Sequence, residues 1–224
     1  MGRVMPLSLV GFDLASAFYV RLAGKQGAPV LVLGSADGRV AFTLSTRGHR
    51  VVGVEPSERM HAAANEQRPS EAGAADVQLL NADLRSVRLE EKFALVIAPQ
   101  NALGLMGTAD DFEAALATVR FHLATDGIFA FDLRSEADSE PPALLRPAFT
   151  AHLRERAGQS VRRLRRRVFT PFEVDGALTR SGLEARERYG DFLSRPWEDS
   201  DEVQVVVAGP RAEPPSETGS LPLP

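Results

Sequence analysis

Apolar residues in GFDLASAFYVRLAG (11–24) recur at helical spacing through Phe12, Ala15, Tyr19 and Leu22, and Gly24 offers a stop. After the turn KQGAP, the run VLVLG (30–34) is apolar at every position up to its glycine. Such a run fits a central parallel strand buried on both faces. A helix is expected from about Gly38 to Arg47, closed by Gly48. RVVGVE (50–55) reads as a second strand. Pro56 then takes a favoured first helical position in a helix that runs to about Arg68, before Pro69. DVQLLNAD (76–83) and KFALVIAP (92–99) read as the third and fourth strands. Thr108 and Asp111 form a cap-like pair at the start of a helix whose Phe112, Leu116, Val119 and Leu123 share one face. Asp126-Gly127 reads as a turn into a fifth strand, IFAFDL (128–133).

Beyond residue 134 the period changes. FTAHLRER (149–156) and VRRLRRRVF (161–169) read as a hairpin, and TPFEVDGALTRSG (170–182) as a short helix ending at Gly182. LEARERYGDF (183–192) and EVQVVVAG (202–209) read as two closing strands. Alternating strands and helices predict an α/β protein with a doubly wound, Rossmann-like sheet and helices on both faces. The sheet is expected to be mostly parallel, with seven strands and an antiparallel closing strand. One domain is expected over 1–209, with a small antiparallel insertion at about 135–169. The proline-rich, polar stretch 210–224 is expected to be a disordered tail.

The composition changes this picture only by exclusion. A chain of 224 residues can bury one sizeable core. The formal net charge of -4 gives no electrostatic support for a nucleic-acid partner. With no cysteine, disulfide scaffolds, thiolate metal sites and cysteine nucleophiles drop out. No apolar run reaches the roughly 18 residues that span a bilayer, so no membrane partner is expected and a cytoplasmic location is the reading. His49, His61, His122 and His152 lack metal-ligand spacing, so no metal is expected. Seven arginines between Arg154 and Arg167 form the one charge anomaly. They read as a solvated strand edge that resists edge-to-edge pairing, or as a surface for an anionic substrate or acidic partner.

Candidate chemistry concentrates in VLVLGSADGRVAFTLSTRGHRVVGVEPSERM (30–60). Gly34 and Gly38 frame a loop leaving a central strand, with the small Ser35 and Ala36 between them. A glycine loop lets backbone approach a ligand, and an acidic residue about 20 positions on accepts hydrogen bonds from a ribose. Glu55, at the end of the second strand, is that residue; carboxylate-to-hydroxyl contacts are stronger than neutral ones.

The stretch resembles the first motifs of the class I S-adenosylmethionine-dependent methyltransferases. NADLR (81–85), FALVIAPQNALGLM (93–106), the helix near 110–124 with DGIFAFDL, and SGLEARERYGDF with VQVVVAG resemble the family's later motifs. FDLASAFYVRLA resembles the helix that covers the cofactor. The resemblance implies transfer of a methyl group from S-adenosylmethionine, leaving S-adenosylhomocysteine, to a small-molecule acceptor whose reacting atom, oxygen or nitrogen, is not readable. It implies cofactor contacts from Gly34, Ser35, Ala36, Gly38, Glu55, Pro56, Asp83, Leu84, Pro99, Asn101 and Tyr19, with Asp83 at the adenine amino group. Gln100 or Asn101 would lie near the transferred methyl, and the insertion at 135–169 would cover the substrate. No catalytic base can be named.

Two residues depart from the family pattern. Val32 stands where a first-strand carboxylate is usual, a loss of roughly 2 kcal/mol of ligand contact. Ala36 stands where the central loop glycine is usual; a left-handed alanine costs roughly 1 kcal/mol. Asp37 is a candidate to replace the missing charge. These departures keep open a second reading, a non-catalytic methyltransferase-like binding or assembly protein with a degenerate loop. A nicotinamide-dependent oxidoreductase fits less well, because Ala36 and Val40 crowd the positions where a diphosphate wants glycine.

Overall fold

The computed structural model describes residues 7–69, 76–134 and 167–212. In chain order the elements are α1 (Leu7–Gln26), β1 (Val30–Leu33), α2 (Arg39–Ser45), β2 (Val51–Val54), α3 (Glu58–Glu66), β3 (Val77–Leu80) and β4 (Phe93–Ala98). A short 3₁₀ turn (Leu103–Leu105), α4 (Ala109–His122), β5 (Leu123–Arg134), α5 (Pro171–Arg180), β6 (Leu183–Tyr189) and β7 (Val203–Pro210) complete them. The strands form one seven-stranded sheet in the order β3-β2-β1-β4-β5-β7-β6. The first five are parallel; β7 runs antiparallel to β5 and β6 antiparallel to β7. The order reverses between β1 and β4. In an open α/β sheet a ligand crevice forms at that place, at the carboxyl ends of the strands.

Side chains alternate across a strand, so a strand covered on both faces must be apolar throughout. Val30 and Val32 of β1 join Val51, Leu95, Ile97 and Ala130 beneath Phe18, Tyr19 and Ala23 of α1 and Val40, Ala41 and Leu44 of α2. Leu31 and Leu33 join Val52, Val54, Val96, Phe129 and Phe131 on the other face, beneath Phe112, Leu116 and Val119 of α4 and Val174 and Leu178 of α5. Each buried valine, leucine, isoleucine or phenylalanine among them contributes about 1.5–3 kcal/mol. Phe169, just before α5, stacks on Phe112 at 4.3 Å and closes that second layer.

Several boundaries differ from the expectations. α1 continues past Gly24 to Gln26, and α2 is shorter at both ends than 38–47. Pro56 is not in the helix: Ser57 is its cap, its hydroxyl accepting from the Met60 amide at 3.3 Å, and α3 ends at Glu66. β3 ends at Leu80, short of Asp83. Asp126-Gly127 is not a turn before a new strand. β5 begins at Leu123, and its register against β4 shifts by three residues, since Phe93 pairs with Leu123 while Leu95 pairs with Ile128. β6 ends at Tyr189, not Phe192. β7 extends to Pro210, and the Arg211 amide donates to the Gly182 carbonyl at 3.0 Å, so the chain is held past 209. The expected hairpin falls outside the described residues except for 167–169, and the expected tail except for 210–212. No helix among the described residues is long and apolar enough to cross a membrane.

Candidate functional site

The loop after β1 is tied to β2 by its backbone. The amides of Gly34 and Ser35 both donate to the Val54 carbonyl, at 2.8 and 3.0 Å. Gly34 has φ 74°, and a β-carbon there would lie 2.6 Å from that of Ala102. Glycine is therefore required, because the loop after β4 packs directly on it. Gly38 has φ 81°, and the Phe42 ring occupies the place of any side chain, 2.5 Å from a β-carbon. Ala36 lies between them at φ 48°, in the left-handed region that costs a residue with a side chain roughly 1–2 kcal/mol.

Ala36 gains a partner in that geometry. Its amide donates to Glu55 Oε2 at 2.9 Å, and the Ser57 amide donates to Oε1 at 2.9 Å. Glu55 is only 8% exposed. Its main chain is fixed on both sides: its amide donates to the Leu80 carbonyl at 2.9 Å, and its carbonyl accepts from Asn81 Nδ2 at 2.8 Å. Burial raises its carboxyl pKa above the ordinary value, against the downward pull of the Ser57 and Ala36 amides. An ionised carboxylate offers about four lone-pair sites. The amides take one on each oxygen, leaving one on each for a pair of vicinal hydroxyls. The residues therefore fit the ribose of an adenosine.

Asp83 opens a tight turn, with the Ser86 and Val87 amides donating to its carbonyl at 3.2 and 3.0 Å. Residues 84–86 form that turn, and no helix begins at Asp83. Its side chain accepts from the Arg85 amide and guanidinium, at 2.6 to 3.1 Å, and Arg85 also bonds Asp111. The Arg85 contacts hold the Asp83 carboxyl below its ordinary value. Leu84 is buried beneath Gly34, Pro56 is exposed, Ser35 is buried, and Asp37 pairs with Arg39 at 2.8 Å. Val32 is sealed in the apolar layer under α1.

The loop after β4 carries the feature that the sequence reading missed. Pro99 is buried, and Gln100 and Asn101 then take φ 59° and 58° in succession. Their amides donate to the two oxygens of one carboxylate, Asp132 at the end of β5, at 2.8 and 2.7 Å. Tyr19 of α1 donates its hydroxyl to the same group at 2.6 Å. Tyr19 is wholly buried, edge-on to Phe18 and Phe192, and its hydroxyl is occupied by this bond. Burial raises the pKa of both Tyr19 and Asp132; the Tyr19 hydroxyl and the two amides oppose the rise at Asp132. Asn101 is buried with its side chain under Gly104, whereas the Gln100 side chain is exposed. One signal was readable: an aspartate closing the apolar strand IFAFDL. Of the seven arginines in 154–167, Arg167 lies among the described residues and pairs with Glu173 at 2.8 Å.

The loops after β1 and β4 thus meet at the sheet's switch point, with the Glu55 carboxylate beside the first and the Asp132 carboxylate beneath the second. Residues 30–127 match the model of a family described as a methyltransferase domain. A comparison with curated proteins gave no match. Among solved structures, the CcbJ methyltransferase from Streptomyces caelestis is 24% identical, over 89% of this chain and 90% of its own, with a TM-score of 0.72. An S-adenosylmethionine-dependent methyltransferase from Clostridium acetobutylicum is 13% identical, over 90% and 92%, with a TM-score of 0.70. The glycopeptide N-methyltransferase MtfA, solved with S-adenosyl-L-methionine, is 22% identical, over 87% and 93%, with a TM-score of 0.64. At these identities the neighbours establish the fold. Residues 30–127 are thus similar to a methyltransferase domain, and the strand order is that of a fold shared with these S-adenosylmethionine-dependent neighbours.

Proposed function

We propose that the protein transfers a methyl group from S-adenosylmethionine to a small-molecule acceptor. The observation that carries the reading is the Glu55 carboxylate, buried at the loop tip with one lone pair free on each oxygen. Gly34 and Gly38 let Ala102 and Phe42 pack closely on the loop and hold it in place, and Ala36 adds only a methyl beside Glu55. Solved relatives on this fold include MtfA, a glycopeptide N-methyltransferase, which supports an acceptor smaller than a folded protein.

S-adenosylmethionine supplies a methyl group on a positively charged sulfur, with a good neutral leaving group. The chain's residues then have to bind, align and exclude water. Glu55 holds the ribose, and Leu84, buried beside Gly34, forms part of the apolar floor. The rigid loop after β4 sets the acceptor side. Alignment of this kind can supply roughly 7–11 kcal/mol. A base is needed only for an acceptor that must lose a proton, as a hydroxyl does.

Titration calorimetry with S-adenosylhomocysteine tests this reading. The parent is expected to bind, and Glu55→Ala to bind at least tenfold more weakly, since hydrogen bonds to a charged group contribute about 1.5–3 kcal/mol. The second reading, a binding protein without cofactor, is favoured by Val32 and by the left-handed Ala36. It predicts no heat with the parent and binding only after Ala36→Gly is combined with Val32→Glu.

A further inference from the structure

Three groups converge on the loop after β4 from distant parts of the chain. Asp132 lies two residues beyond Ala130 in β5, on the face that α1 covers. Tyr19 reaches it from α1 across 113 residues of sequence. The two oxygens of Asp132 take the amides of consecutive residues, Gln100 and Asn101. Those two residues are non-glycine and both left-handed, an arrangement that persists only where surroundings over-determine it. The consequence is visible in their side chains: Asn101 turns inward beneath Gly104, and Gln100 is left exposed at the carboxyl end of β4.

We propose that Tyr19 and Asp132 form a latch that holds Gln100 and Asn101 in this geometry, making them positioning residues for the cofactor and for Gln100 as an acceptor-facing side chain. Both backbone partners can only donate, so the carboxylate must accept on each oxygen. Tyr19 orients the carboxylate and leaves neither amide to be satisfied by water. The same loop packs Ala102 against Gly34, so a shift at 100–101 is passed to the loop after β1. The latch itself is a property of the folded chain; its effect on a bound cofactor rests on the methyl-transfer reading.

Two variants test it, each in the full chain. Tyr19→Phe removes one hydroxyl, and Asp132→Asn replaces one acceptor oxygen by a donor. Amide hydrogen exchange followed by NMR is expected to speed up at least tenfold at Gln100 and Asn101 in both, with Ile97 in β4 unchanged. S-adenosylhomocysteine affinity, measured where all variants are folded, is expected to fall at least fivefold in Asp132→Asn and less in Tyr19→Phe. Unchanged exchange at Gln100 and Asn101 overturns the latch, and so does an equal rise at Ile97, which marks general loosening. Faster exchange with unaltered affinity overturns the positioning role. Should Asp132→Asn fail to fold, Tyr19→Phe decides both points. A parent that binds no S-adenosylhomocysteine sinks the functional reading instead, and the exchange measurement still decides the latch.

Discussion

Ala36 stores strain in a position where its backbone does work for the site. Its φ of 48° would suit glycine, yet its amide bonds Glu55 at 2.9 Å. Ala36→Gly is expected to raise stability by about 1 kcal/mol, the left-handed penalty less glycine's extra unfolded-state entropy. For a chain of this size that is about 2–4 °C in Tm by calorimetry. Glu55 carries a pH prediction at the same scale. Its ionised form accepts from hydroxyls, and burial places its pKa above the ordinary 4.5. Affinity for S-adenosylhomocysteine should therefore be full at neutral pH and fall as pH drops through that raised value, a dependence that Glu55→Gln abolishes. Gly34, Gly38 and Glu55 were legible in the sequence, because a strand, a loop and a second strand fix their spacing locally. Asp132 was not, since its partners Tyr19, Gln100 and Asn101 come from elements brought to it only by folding.

The start of α4 was legible because a side chain there closes on its own segment. The Thr108 hydroxyl accepts from the Asp111 amide at 3.0 Å, as the cap-like spacing predicted. Ends decided by tertiary contact were missed: α4 gives way directly to β5 at Leu123, and the out-of-register stretch before Ile128 has no local signature. His122 marks that junction. Its Nε2 accepts from the Leu89 amide at 2.8 Å, and its Nδ1 lies 2.8 Å from the Thr118 carbonyl, so the neutral ring with the proton on Nδ1 satisfies both. Burial lowers its pKa below 6.5, and the charges of Arg88 and Lys92 act in the same direction. As pH falls from 6.5, the unfolded chain takes up a proton before the folded one does. Stability is thus fully present above that pH and is lost as pH falls through the depressed folded value. Urea titrations at neutral and mildly acidic pH should show the drop, and the difference between His122→Gln and the parent should shrink at the acidic end.

At the scale of the molecule, the fold class was readable because a sheet covered on both faces demands uninterrupted apolar strands, and β1, β2 and β4 supply them. The sheet's strand order, reversing between β1 and β4, then brings the loops after these two strands together at their carboxyl ends. Specific side chains turn that junction into a particular site, and the one on which the account depends is Glu55. Its role is tested most directly by a cycle of calorimetric titrations. S-adenosylhomocysteine and its 2′,3′-dideoxyribose analogue are each titrated into the parent and into Glu55→Ala. Removing the hydroxyls is expected to weaken binding to the parent at least tenfold and to leave Glu55→Ala nearly indifferent. Equal losses in both proteins would contradict that role, because the hydroxyls would then be held by something other than this carboxylate.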